Sequence, residues 1–246
     1  EHPNAYGRKM LWGTFIILYE YQMTGMLTNI LFDLYNQLSL LMPAIALPIR
    51  LYERRDYSGH SLETTLAGLT VRVDEDKRDN LEPDFSPPPS STISVMGQKM
   101  KISIFAFKRD SADNYRGSEG IVCTINGQTH GYLSKRFFSR QSVGLGYLAD
   151  SILLLVDCSG FDGRAREDLF MNSRDRLRSG DLASGIEKSL ERLLREHPGL
   201  RKLNTQRRRE DTENRLDDSK PLADILETIF EKSPTLSKLF IEGLRL

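Results

Sequence analysis

EGIVCTINGQTHG (Glu119–Gly131) and SILLLVDCSG (Ser151–Gly160) decide how this chain folds. In the first, the apolar and β-branched run Ile121–Asn126 reads as a strand that ends in the turn pair Asn126-Gly127. In the second, Ser151–Cys158 is a continuous apolar run of the kind found in strands covered on both faces. The stretch between them, Phe137–Asp150, is predicted to hold a short helix. One strand–helix–strand crossover therefore joins the two strands, which makes an α+β fold with a mixed sheet.

Outward from this centre the pattern stays mixed. Thr14–Gln22 (TFIILYEYQ) is β-branched and aromatic and predicts a strand. Leu27, Ile30, Leu31, Leu34, Leu38 and Leu41 recur at helical spacing, which predicts an amphipathic helix over Met26–Met42, ended by Pro43. Asn29, Asp33, Asn36 and Gln37 form a polar stripe on that helix, and Pro43 and Pro48 interrupt the apolar stretch, so a membrane span is excluded there. Leu47, Ile49 and Leu51 alternate with Pro48, Arg50 and Tyr52 as in an edge strand. Leu66–Val73 and Met100–Phe107 are predicted strands, separated by an exposed Pro/Ser-rich loop, 74–91. Lys108–Gly120 is a second polar loop. Leu182, Ile186, Leu190, Leu193 and Leu194 mark a helix closed by Pro198-Gly199. A final helix is predicted from Ser219, with Pro221 in its first turn and Leu222, Ile225, Leu226, Ile229 and Phe230 on one face.

The 246 residues hold 34 Lys plus Arg and 34 Asp plus Glu. Zero net charge excludes a polybasic tail as the organising feature, and equally an acidic solvating one. Cys123 and Cys158 are the only cysteines, and both sit in apolar runs. That predicts reduced thiols and a cytoplasmic setting, with no disulfide framework. The four histidines are scattered, so no metal site is expected. Phosphate-loop, dinucleotide, nucleophile-elbow and zinc-protease motifs are all missing.

Three groups of residues could carry chemistry. Arg164, Arg166, Arg174, Arg176 and Arg178 cluster just after the apolar strand, where guanidinium forks suit a phosphate. The same spacing also serves a salt-bridge ladder with Glu167, Asp168 and Asp175. Asn126, Gly127, Gln128 and His130 form a turn past a strand end. His130 would act as a general base only with a partner such as Asp157, the alternative being a turn histidine. Lys135, Arg136, Arg140, Arg207, Arg208 and Arg209 are candidate nucleic-acid contacts. A nucleic-acid-binding module without nucleotide dependence is the rival reading of the chain, and an autonomous hydrolase built on His130 and Asp157 is a third.

GTFIILYEYQ (Gly13–Gln22), ALPIRLYERR (Ala46–Arg55), EGIVCTINGQTHG, SILLLVDCSG and REDLFMNSRDRLR (Arg166–Arg178), in that order, resemble GHKL ATPases. This class contains MutL, type II topoisomerases and Microrchidia proteins. The resemblance covers Gly13 to about Leu203 and places the chain after the nucleotide-binding domain. It implies a closing strand and helix of that domain in residues 1–45, a transducer-like domain in 46–203 and a helical segment in 204–246. It further implies that Asn172–Arg178 is the loop reaching the ATP γ-phosphate, with Arg174 or Arg176 where the class uses Lys. The ExxxN helix and DxGxG motif of the class are absent, so ATP and Mg²⁺ are expected only through an upstream domain. The abrupt start without Met fits that expectation. A partner ATP-binding domain, homodimerisation, a DNA or protein partner, and a role in DNA maintenance or antiviral defence follow from the resemblance alone.

Overall fold

The structure, a computed structural model, describes residues 30–45, 49–52, 63–66, 68–75, 80–174 and 176–214. The strand predicted at Thr14–Gln22 and the helix predicted from Ser219 lie outside these residues. In chain order the elements are α1 (Ile30–Leu41), β1 (Ile49–Tyr52), β2 (Glu63–Leu66), α2 (Leu69–Glu75), β3 (Ser90–Val95), β4 (Gln98–Ala106), β5 (Glu119–Ile125), β6 (Gln128–Ser134), β7 (Ile152–Asp157), α3 (Gly163–Leu169) and α4 (Asp181–Glu196). A further helix, α5, covers residues 198–214.

β1 and β2 form a small antiparallel pair, and the other strands form one sheet in the order β3-β4-β7-β5-β6. β7 lies antiparallel to β4 and parallel to β5, while β3 and β6 pair antiparallel at the two edges. The fold is α+β, as its sequence pattern indicates. Because side chains alternate along a strand, β7 feeds two cores. Ile152, Leu154 and Val156 face one side with Met100, Ile102, Ile104, Ile121 and Cys123. That side is covered by α3, α4 and α5 through Leu169, Ile186, Leu190, Leu194, Leu200 and Leu203. Leu153 and Leu155 face the other side with Phe105 and Val122, against Leu69 and Val73 of α2 and Leu40 of α1. Both free cysteines are buried on β5 and just past β7.

Several elements differ from the sequence expectation. The predicted strand Leu66–Val73 is the end of β2 followed by a helix. Gly68, at φ 88°, breaks the chain direction, and Leu69 and Val73 then fall four apart on one buried helix face while Val71 is exposed. Residues 74–91 are not one exposed loop. Leu81 bridges Phe107, Phe85 is buried against His197, and β3 has begun by Ser90. The second polar loop likewise buries Tyr115 and Arg116.

β6 occupies what was expected to be loop. The two-residue connection Asn126-Gly127, at φ 50° and 78°, folds Gln128 back onto Ile125 as a tight hairpin. His130 therefore stands on a strand, not in a turn. The short helix expected in the crossover is replaced by two 3₁₀ turns, Lys135–Ser139 and Gly146–Leu148, anchored by Phe137, Phe138 and Leu148. Pro198-Gly199 does close α4, but α5 starts there and runs on through the expected boundary at 203/204. Leu203 and Arg207, one turn apart, are both buried on it.

Replacing Leu154, which has no exposed surface, with alanine is expected to cost about 2–5 kcal/mol. Val71→Ala, on the exposed face of α2, should stay within about 0.5 kcal/mol. Urea unfolding midpoints at constant slope measure both.

Candidate anion site at the strand ends

The carboxyl ends of the parallel strands β5 and β7 lie side by side. Open sheets gather ligands at such ends, because the loops that follow diverge and leave backbone groups available. Here the two ends are stitched together. The Asn126 amide donates to Ser159 Oγ (2.8 Å), and that hydroxyl donates to Asp157 Oδ1 (2.5 Å), which also accepts from the Ser159 amide (2.9 Å).

Arginines approach this corner from two directions. Arg166 on α3 donates through Nη2 to the Ser159 carbonyl (2.7 Å), while its Nε is buried and unpartnered. Asp162 caps α3 by accepting from the Ala165 amide, which fixes where Arg166 emerges. Arg174 comes from the tip of a loop whose base is closed by the Phe170↔Leu177 bridge and by the Arg178 amide donating to the Leu169 carbonyl (2.8 Å). Arg174 itself has φ 57°, a backbone region sparsely used by residues other than glycine and enriched at functional sites. Its Nη1 donates to Gln128 Oε1 (3.3 Å) at the start of β6.

The loop lies close on β6 because Gly131 has no side chain. A Cβ there would sit 2.8 Å from Leu177 Cδ2 and 3.2 Å from the Arg176 carbonyl group. His130 meets Phe170 edge-on at 5.6 Å. Burial first, then the positive charges of Arg174 and Arg166, hold its imidazole below the usual histidine range. Among the described residues neither Arg166 nor Arg174 forms an ion pair. The corner thus gathers two arginines, one of them on a loop closed at its base, beside a hydroxyl, a backbone amide and an imidazole that is hard to protonate.

Of the residues singled out in the sequence, the fold brings Gln128, His130 and Arg174 together, with Asn126 and Gly127 in the turn behind them. Arg176 is exposed, with its backbone against Gly131 and no side-chain partner among the described residues. The sequence pattern does not single out Arg166 or Ser159 as contacts, although the first belongs to the arginine cluster. The signal available for them was the Asp-x-Ser spacing after an apolar strand, which favours a side-chain-closed turn. His130 and Asp157 share no hydrogen bond. β5 stands between their strands and Asp157 is engaged by Ser159, so the hydrolase pair is not assembled.

Behind the site, the hairpin tip is fastened to the end of α1. The Ala44 amide donates to the Gly127 carbonyl (3.2 Å), and Thr129 Oγ1 donates to the Leu40 carbonyl (2.7 Å). Gly127 allows this approach, since a Cβ there would lie 1.7 Å from the Ala44 carbonyl oxygen.

Half of the six candidate nucleic-acid contacts are engaged within the chain. Lys135 pairs with Asp150 (2.5 Å), and Arg140 with Glu187 (2.6 Å) and Glu191 (3.1 Å) while lying over the Phe137 ring. Arg207 is buried against Glu82. Arg136, Arg208 and Arg209 are exposed. Among the described residues no His, Cys, Asp and Glu cluster could hold a metal ion, and no helix is long and apolar enough to cross a membrane.

No family model matches the chain, and no curated protein matches it in sequence. Among solved structures it is similar to the B subunit of DNA gyrase from Myxococcus xanthus. That similarity has 15% sequence identity and a TM-score of 0.34, over 70% of this chain and 52% of the other. The chain spans about half the length of that subunit, and at this level the likeness is distant and decides nothing about function.

His130 is expected to titrate below 6.5, its ordinary value. Arg174→Gln should move that titration upward by removing a positive neighbour, as followed by NMR of the imidazole. The unfolded chain takes up this proton at higher pH than the native state. Stability is therefore held above about pH 6.5 and declines as pH falls below it. His197, lowered by burial, adds in the same direction. Urea midpoints at about pH 7 and about pH 5 read the sum.

Proposed function

We propose that the chain is the coupling portion of a two-part, GHKL-type ATPase. In this reading ATP and Mg²⁺ bind to a separate domain upstream, and the site described above meets the terminal phosphate. Arg174 supplies a bidentate guanidinium, Arg166 adds positive charge behind it, and Gln128 and His130 flank the contact. The observation that carries the reading is the convergence, at the ends of parallel strands, of two arginines that have no ion-pair partner among the described residues, one of them on a loop closed at its base. The resemblance of Gly13–Leu203 to the class supports it from the sequence side.

Such a site distinguishes nucleotide states by charge. A γ-phosphate presents charge and acceptor oxygens that hydrolysis removes, so a fixed cation stabilises the ATP-bound arrangement over the ADP-bound one. The phosphate-facing residue Gln128 lies between Gly127 and Thr129, both hydrogen-bonded to the end of α1. A shift of the loop would thus be felt first by the helix nearest the upstream domain. A nucleic-acid-binding function without nucleotide would instead use Arg136, Arg208 and Arg209, the candidates that are exposed.

In the full-length protein, Arg174→Ala is expected to lower ATP turnover by roughly tenfold or more, with an unchanged unfolding midpoint. Arg208→Ala should leave turnover unchanged. On the present chain, inorganic triphosphate should raise the titration of His130, because bound anion offsets the two arginines. Turnover unaffected by Arg174→Ala, together with salt-dependent DNA binding in the absence of ATP, would favour the nucleic-acid reading.

A further inference from the structure

The two edges of the five-stranded sheet are treated differently. β6 is covered: Thr129 and Gly127 bond to the end of α1, and the loop around Arg176 and Leu177 lies on Gly131. β3 is open. Its register with β4 runs without a bulge from Ser90↔Ser103 to Val95↔Gln98, and the Ile104 amide donates to the Pro89 carbonyl (3.0 Å).

In an antiparallel ladder hydrogen-bonded and non-bonded pairs alternate. Since 89 and 104 are a bonded pair, so are 91 and 102, 93 and 100, and 95 and 98. The backbone N–H and C=O groups of Ser90, Thr92 and Ser94 therefore point away from β4. No hydrogen bond from any described residue reaches them, and their side chains are exposed. Exposed edges are normally guarded by lysine, internal proline, a bulge or a covering segment. From Ser90 to Val95 there is no charge and no proline, and the register holds no bulge.

We propose that β3 pairs with β3 of a second copy of this chain, antiparallel about a two-fold axis at Thr92, so that two sheets become one. The open segment is self-complementary in three ways. First, its outward peptide groups are centred on Thr92. Two-fold pairing sets Ser90 against Ser94 of the other copy and Thr92 against its equivalent, giving about six hydrogen bonds between strands.

Second, residues 86–97 carry no charged side chain, in a chain that is 28% charged. Small hydroxyls meet hydroxyls with no like charges opposed. Third, the same register brings Met96 opposite Pro88 of the other copy. Met96 is 69% exposed, the highest value among the exposed large apolar residues described. The pairing thus gives it an apolar neighbour, while prolines 87–89 limit further extension. None of this depends on the proposed role in ATP coupling.

Sedimentation velocity over about 1–200 µM protein tests the proposal, because a dimer dissociates on dilution. The unsubstituted chain is expected to sediment as a dimer at the upper end. Thr92→Pro deletes an outward N–H that β4 does not use, so it should weaken association more than about tenfold while β3–β4 pairing persists. Thr92→Lys opposes two charges at the axis. It should weaken association at low salt, with partial recovery at high salt. Unchanged far-ultraviolet circular dichroism and urea midpoints show that each variant folds, and Thr92→Lys serves alone if the proline variant does not. A monomer at the highest concentration, or a dimer undiminished by both substitutions, overturns the proposal.

Discussion

A strand that is apolar on both faces cannot border water, and β7 is such a strand. Burying Leu153 and Leu155 on one side and Ile152, Leu154 and Val156 on the other requires two covering layers. The rest of the architecture answers that requirement. α3, α4 and α5 cover one face, and α2 with the end of α1 covers the other. The positions flanking β7 go to β4 and β5, so both edges of its backbone are paired as well. The run ends at Asp157, which is exposed, and the polar sequence that begins there lies at the surface beside the end of β5. Site and core thus meet at a change of composition within a few residues.

Zero net charge is resolved locally into pairs that fasten separate parts of the chain. Arg207 with Glu82, Lys202 with Asp84 (3.2 Å) and Arg109 with Glu210 (3.2 Å) hold α5 to the segments before β3 and after β4. Arg140 with Glu187 and Glu191 holds the crossover turn to α4. The exposed pairs contribute little each. The buried one differs, because removing Glu82 would leave the Arg207 guanidinium uncompensated away from water. Arg166 and Arg174 stand outside this pattern: among the described residues their partners are a backbone carbonyl and a side-chain amide oxygen, as buried Arg116 has the carbonyls of Glu119 and Ala149.

Long or strongly patterned elements were legible in the sequence: β7 from its unbroken apolar run, β4 from alternation, α4 from leucines at helical spacing. The elements that escaped have weak patterns of their own and are imposed by neighbours. β6 contains two small buried positions, Thr129 and Gly131, and becomes a strand because the Asn126-Gly127 turn delivers it to β5. β3 is made of hydroxyl residues after a proline run, and pairing with β4 rather than propensity defines it. Leu66–Val73 is read from sequence as a strand, whereas Leu69 and Val73 are buried at the four-residue spacing of a helix. For the site, Arg174 and Gln128 could be nominated from their position after a strand and a turn. Arg166 could not be told apart from its neighbours, since only the cap at Asp162 and the proximity of Ser159 direct it inward.

The two cysteines have a practical consequence. Cys123 is buried on β5 and Cys158 is buried just past the end of β7. The hydrogen bond to Cys123, and then burial, push the Cys158 thiol far above its ordinary range. Neither sulfur meets a reagent while the sheet is closed, and no surface thiol competes, because the sequence holds no third cysteine. Alkylation of this chain therefore waits on separation of the central strands. The rate at which it loses its thiols becomes a clock for the opening of the core, built into the native sequence.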